Sequence, residues 1–210
     1  LPLSSAQQRL WFLDQFQPGG DDYNSALALR FTGRLDVPAL RRAVRALADR
    51  HESLRTTFDE VDGAPVQLVH PPAELPVPVV DCAPGELDAL LVHETSQVFD
   101  LRRGPLFRAL VARLGPEEHV LLLASHHIVV DGWSFGVLAD ELGSLYAGTA
   151  ELPPLAVRYA DYAVWQRDRL AGPALAEQVE HWRRRLADLP ALDLPTDRPR
   201  PTVRTPIGAT

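Results

Sequence analysis

No lysine occurs in the 210 residues, so all 21 basic side chains are arginine. They are outnumbered by 28 acidic ones, which leaves a net charge of -7. Apart from the short cluster Arg183-Arg184-Arg185 the arginines are interspersed with acids, and that pattern argues against a nucleic-acid partner. A single cysteine, Cys82, cannot form an internal disulfide and has no CxxC partner, so a reducing cytoplasm is the expected location. No run reaches the roughly 18 apolar residues of a membrane span. No signal peptide opens the chain, and no membrane association is expected. Methionine is absent altogether. The chain starts in mid-phrase at Leu1-Pro2-Leu3 and finishes in a stretch of linker composition. These ends suggest a piece of a longer polypeptide.

What is present is ordinary for a soluble globular protein, with 46% hydrophobic and 23% charged residues. The length suffices for one sizeable core or two small ones. Ser5 is placed to cap a helix over 6–16, with Leu10, Leu13 and Phe16 near one face. Leu27, Leu29 and Phe31 alternate with smaller or polar residues, as in a strand. Asp36 is placed to cap a helix with Pro38 in its first turn and Leu40, Val44 and Leu47 on its inner face. Asp62-Gly63 between 55–61 and 65–70 predicts a hairpin. A short strand is expected at 76–80 and a helix over 85–98. Strands at 106–114 and 120–126, joined at Gly115-Pro116-Glu117-Glu118, suit an antiparallel pair. Ser134 is placed to cap a helix carrying Val137, Leu138, Glu141, Leu142 and Leu145. Helical patterns follow at 160–170 and 174–189, where Trp165 and Trp182 are expected to pack in the core. The mixture predicts an α/β fold, a mixed β-sheet sandwiched with helices.

One segment concentrates titratable groups. The apolar run Val120-Leu121-Leu122-Leu123-Ala124 ends in Ser125-His126-His127, and Asp131-Gly132-Trp133-Ser134 follows shortly. Histidine is the side chain whose unperturbed pKa lies near neutrality. Successive side chains of an extended segment point to opposite faces. His126 and His127 therefore cannot both look into one cleft, and one of them works while the other supports. Asp131 either orients the active imidazole or is a buried acid paired with an arginine. The absence of a nearby Ser or Cys nucleophile favours the second. Gly132 permits positive φ and close backbone approach. Its N–H either faces a reacting oxygen or simply belongs to the turn. Two histidines and an acid are legitimate metal ligands, but adjacent histidines diverge on a strand, so no metal is expected.

His126-His127-Ile128-Val129-Val130-Asp131-Gly132 resembles the HHxxxDG signature of condensation domains of nonribosomal peptide synthetases. Three further segments match in the right order. Residues 3–13 look like the family's SxAQxRLWxL opening, Arg50-His51-Glu52-Ser53-Leu54-Arg55-Thr56-Thr57-Phe58 matches RHExLRTxF, and Tyr159-Ala160-Asp161-Tyr162-Ala163-Val164-Trp165 matches YxDYAxW.

The resemblance implies a chloramphenicol-acetyltransferase-like fold of two lobes with a tunnel between them. Residues 1–190 would be the N-terminal lobe. Residues 191–210 would be a Pro/Arg-rich linker leading to a C-terminal lobe absent from this chain. The implied activity is acyl transfer forming a peptide bond, in the biosynthesis of products such as antibiotics or siderophores. The amine of an acceptor aminoacyl group attacks a donor thioester. The implied partners are donor and acceptor carrier proteins, the C-terminal lobe and an adjacent adenylation domain. No cofactor would be bound by this chain, since the carrier proteins deliver phosphopantetheine.

The resemblance also assigns roles. His127 would face the tunnel as the base or the orienting group, with His126 behind it. The Gly132 N–H would be a candidate oxyanion donor. Asp131 would point away from the tunnel and pair with Arg55, or else Arg50. Trp133 and Ser134 would support the site, and the Asp-Gly-Trp-Ser continuation favours an L-configured donor. His51 and Glu52 are expected to fix a turn, and Tyr159 and Asp161 to tie a helix start to the lobe. Arg183–Arg185 offer either a contact to an acidic carrier protein or a solvated face. Two other functions compete, an epimerisation domain of the same superfamily and a catalytically silent docking module.

Overall fold

The computed structural model describes residues 1–148, 151–199 and 202. The rest of the expected linker (200, 201 and 203–210) lies outside the described residues. The chain divides into two compact units, Leu1–Arg167 and Asp168–Thr210.

The first unit is built on a mixed sheet. Strands β1 (Asn24–Thr32), β4 (Val79–Asp81), β5 (Phe107–Gly115) and β6 (Glu118–His126) lie in the order β1-β6-β5-β4. Both β1 and β5 pair antiparallel with β6, and β4 adds a parallel edge to β5. The expected antiparallel pair is therefore the centre of the sheet. A separate hairpin of β2 (Thr56–Val61) and β3 (Ala64–Val69) turns at Asp62-Gly63, where both residues have positive φ. Such conformations are what an Asp-Gly turn supplies.

Both faces of β5 and β6 are buried, so these strands read as apolar runs. Val111, Leu121 and Leu123 pack under α2 (Val37–Arg50) and α4 (Gly132–Ala147). Leu110, Ala112 and Val120 pack against Leu87 of α3 (Leu87–Thr95). A third cluster joins Leu3, Leu10 and Trp11 of the first segment to Phe58, Leu106, Ala124 and Ile128. It lies where β6 delivers its histidines.

Several local expectations are corrected. The cap of α1 (Ser5–Phe16) is Ser4, whose hydroxyl accepts the Gln7 N–H in a reciprocal capping box. Its buried face is Gln7, Leu10 and Trp11, while Phe16 is exposed. The helix α4 starts at Gly132, two residues earlier than the expected cap. Asp131 caps it, and Ser134 supplies the donor. Asp36 caps α2 as expected. Trp165 on α5 (Tyr159–Arg169) is 59% exposed and not in the core. The described part of the second unit is helix α6 (Pro173–Arg185) followed by irregular chain. Trp182 of α6 is 53% exposed, again contrary to expectation. The helix α5 buries only Ala160 and Ala163, and α6 buries no residue. Among the described residues no helix is long and apolar enough to cross a membrane.

Candidate active site

The histidine pair divides where β6 ends. His126, the last strand residue, is 5% exposed and packs near the Tyr23 ring. Its Nδ1 accepts the Ile128 N–H at 3.1 Å. Burial pushes its pKa down to about 4, and the neighbouring His127 charge adds to the effect. His126 is thus neutral at pH 7, with its accepting nitrogen already used.

His127 is exposed. Its backbone N–H is held by the Tyr23 carbonyl at 2.8 Å. Its Nδ1 lies 3.2 Å from the Val130 carbonyl oxygen. A carbonyl only accepts, so Nδ1 carries the hydrogen in the neutral ring and Nε2 is left as the basic nitrogen. The parity expectation is met: one imidazole is buried and one is available.

His127 lines a cavity of about 350 Å³. Its walls come from α1 (Ala6, Gln7, Leu10), the turn after α2 (His51, Glu52, Ser53), the loop after β6 (128–131), and the start of α5 with Tyr159. Ionic and polar contacts hold these segments together. The Tyr159 hydroxyl bonds to Ser4 Oγ at 2.9 Å, and Ser5 N–H donates to Gln166 at 2.8 Å. Glu52 accepts from Arg158 at 2.8 Å and from Arg55 at 3.3 Å. Asp161 accepts the Arg158 N–H and so fixes the start of α5. Burial pushes the Tyr159 hydroxyl up, against the pull of its Ser4 bond, so it stays a neutral phenol.

Four segments between residues 3 and 165 thus meet around one cavity, and comparison with known proteins shows what they are. The condensation-domain family model matches residues 1–208. The chain belongs to the condensation-domain family. A linear gramicidin synthase of Brevibacillus parabrevis is 44% identical over the whole of this chain. Tyrocidine synthase 3 of the same organism is 42% identical over 99% of it. The chain spans 3% of each of these relatives. Among solved structures, the X-domain of teicoplanin biosynthesis in complex with OxyB superposes with a TM-score of 0.85 at 36% identity. That match covers 96% of this chain and 47% of the other. The starter condensation domain of the rhizomide synthetase RzmA, at 22% identity and a TM-score of 0.80, shares the fold over 48% of its length. These neighbours establish the chloramphenicol-acetyltransferase-like fold, and this condensation-domain chain spans about half of the solved chains it matches.

The structure corrects the expected pairing of Asp131. Asp131 is among the residues that line the cavity, and its carboxyl is engaged by the first turn of α4 and not by an arginine. Its Oδ1 accepts the Ser134 N–H at 2.8 Å and the Ser134 Oγ–H at 2.6 Å. These bonds hold its carboxyl below the usual range, with a smaller contribution from His127. Among the described residues no arginine pairs with it. Arg55 is taken up by Glu52, three residues away, and by the His70 carbonyl. Arg50 is taken up by Glu141 of α4 through both carboxylate oxygens, at 3.2 and 3.0 Å. The terminal nitrogens of Arg55 are thus engaged locally, while its buried Nε has no partner among the described residues.

Gly132 is the first residue of α4, without positive φ, and a side chain there would meet nothing within 4 Å. Neither special backbone conformation nor close approach therefore requires glycine in this chain. Trp133, beside it, is 83% exposed. Sequence reasoning assigned no cavity role to Gln7, Tyr159 or His51, although all lie in the matched segments. Glu141 was placed on its helix by spacing, but its partners Arg50 and His51 are not visible in the sequence.

Proposed function

We propose that this chain supplies one wall of an amide-forming site and that His127 is its base. The substrates are a donor acyl or peptidyl thioester and the amine of an acceptor aminoacyl group, each carried on a phosphopantetheine arm of a carrier protein. The observation that carries the reading is the His127 tautomer. Nδ1 is committed to Val130, and the ring lines the cavity walled by all four matched segments.

A thioester is an activated acyl donor, so the reaction needs a neutral amine, a correct approach and relief of charge on the carbonyl oxygen. Positioning can contribute effective molarities of about 10⁵ M or more, and a placed base about 10²–10⁴-fold. His127 takes the proton of the attacking nitrogen. The Gly132 N–H, in the first turn of α4, is the candidate donor to the developing negative charge, with the helix dipole in its favour. His126, neutral and buried, holds the backbone behind His127. The phosphopantetheine arms are delivered and withdrawn with the substrates, so they require no permanent holder in this chain. Because the chain spans 47% of the solved chain it resembles in the teicoplanin complex, the residues of this chain alone are proposed to be inactive.

The test uses the full-length synthetase carrying this chain, with donor and acceptor loaded on carrier proteins and the amide detected by mass. The native protein should form amide and His127→Ala should not. Equal product from both would remove His127 from the mechanism. A second reading, a silent docking module, is favoured by one observation: the solved X-domain with a TM-score of 0.85 is in complex with OxyB. Native protein that makes no amide from loaded carriers would support it.

A further inference from the structure

His51 does more than close the turn after α2. Its side chain is only 17% exposed, and its Nε2 lies 2.6 Å from Glu141 Oε2. Arg50 holds the same carboxylate. A carboxylate paired with arginine accepts only, so in the neutral ring Nε2 carries the hydrogen and Nδ1 keeps the lone pair. Among the described residues Nδ1 has no hydrogen-bond partner, and the ring lines the cavity that His127 lines. The cavity thus holds two imidazoles, each with its tautomer fixed by an oxygen. Nε2 is the free nitrogen of one and Nδ1 that of the other.

We propose that His51 is a second base of this cavity and takes the first proton from the acceptor's ammonium group. The proposal rests on the amide-forming reading above. An aminoacyl acceptor arrives as R–NH3⁺ and must lose one proton to expose its lone pair. Attack forms the C–N bond and moves the C=O pair onto oxygen. The nitrogen, again cationic, loses a second proton. The oxygen pair returns, the C–S bond breaks, and the thiolate takes up one proton. Two protons leave nitrogen, one ends on sulfur, and one passes to water. A single imidazole with one free nitrogen carries one proton at a time. His51 takes the first and releases it to water. His127 takes the second and delivers it to sulfur. The charged and titratable groups around His51 are Arg50 on α2, Glu141 on α4, and Glu52 with its partners Arg55 and Arg158. His127, Asp131 and Tyr159 share its cavity.

The test compares amide formation by the full-length synthetase and its variants from pH 6 to 9.5. His51→Gln should lose on the order of 10- to 100-fold at pH 6.5 and less than about twofold at pH 9, where the amine arrives neutral. With an aminooxy acceptor, neutral across the whole range, the same variant should run at the native rate. His127→Ala should be slow at every pH and with both acceptors. Glu141→Gln leaves His51 in place, and it should show the same acid-side loss even where His51→Gln melts early. Equal loss at all pH values and with both acceptors would assign His51 to packing and overturn the proposal, as would no loss at all. Native protein that makes no amide would overturn the amide-forming reading itself.

Discussion

The Nδ1 of His127 lies 3.2 Å from the carbonyl oxygen of Val130, three residues on in the same loop. The loop therefore sets the tautomer of its own base without a carboxylate. This differs from a triad, in which an acid orients the imidazole.

Replacing the exposed His127 should change chemistry and leave stability alone. His127→Ala is expected to lower amide formation by about 10²–10⁴-fold, the usual contribution of a placed base. Its unfolding free energy should move by no more than about 0.5 kcal/mol, as for other surface substitutions. Product mass and a urea titration on the same preparation check both. A large drop in stability would mean that the ring is holding the loop together.

Asp131 stands at the junction of site and scaffold, and its work can be divided by substitution. Asp131→Ala removes the cap of α4 and should cost about 1 kcal/mol. Asp131→Asn keeps an accepting oxygen for the Ser134 N–H and should fold almost as well. The carboxyl is held below its usual range by Ser134. Its contribution is therefore present above the unfolded pKa of about 3.9 and is lost as pH falls below that value. If capping is its whole function, Asn should retain amide formation. An inactive but stable Asn variant would show that the charge beside His127 is needed.

Much of this fold was legible because the sequence pattern and the burial coincide. The run 120–124 is apolar on both faces because helices cover both faces of β6, and Asp62-Gly63 marks a turn that needs positive φ. Strand parity separated His126 from His127 without saying which is buried, and the family resemblance made that assignment. Cap assignments slipped by one residue at α1 and by three at α4, because Ser4 and Ser5, or Asp131 and Ser134, are equally good caps on paper. Geometry decides which one accepts and which one donates. The partner of Asp131 was misread for a related reason. Charge complementarity across 76 positions, from Arg55 to Asp131, carries no distance, whereas Glu52 stands one helical turn from Arg55 and outcompetes it. The exposure of Trp165 was not legible, because helical spacing shows a stripe but not what lies against it.

His126 should make the domain acid-sensitive. Its pKa is lowered from 6.5 to about 4, because burial disfavours the charged ring and the neighbouring His127 charge adds to the effect. Between these two values the unfolded chain binds more protons than the folded one, so stability rises with pH. The full contribution is present above about pH 6.5, and about 2 kcal/mol of it should be lost between pH 7.5 and pH 5. His126→Asn offers an accepting oxygen in place of Nδ1 and does not titrate, so its urea midpoint should vary less over the same interval. Equal pH dependence in both proteins would assign the acid sensitivity to other groups.

The ion pairs of Arg55 can be separated by a double-mutant cycle. Arg55 and Glu52 are 3.3 Å apart with both side chains 17% exposed, so their coupling should be about 0.5–1 kcal/mol, above that of a fully solvated pair. Arg55 and Asp131 share no partner and no hydrogen bond among the described residues, so their single-mutant effects should add within about 0.5 kcal/mol. Glu52 also holds Arg158 at the start of α5. Glu52→Ala should therefore destabilise the protein more than Arg55→Ala, since it leaves two guanidinium groups without their carboxylate. Unfolding titrations of the single and double variants measure all of these differences. A coupling above about 1 kcal/mol between Arg55 and Asp131 would restore the long-range pair and displace Glu52 as the anchor of the Arg50–Phe58 segment.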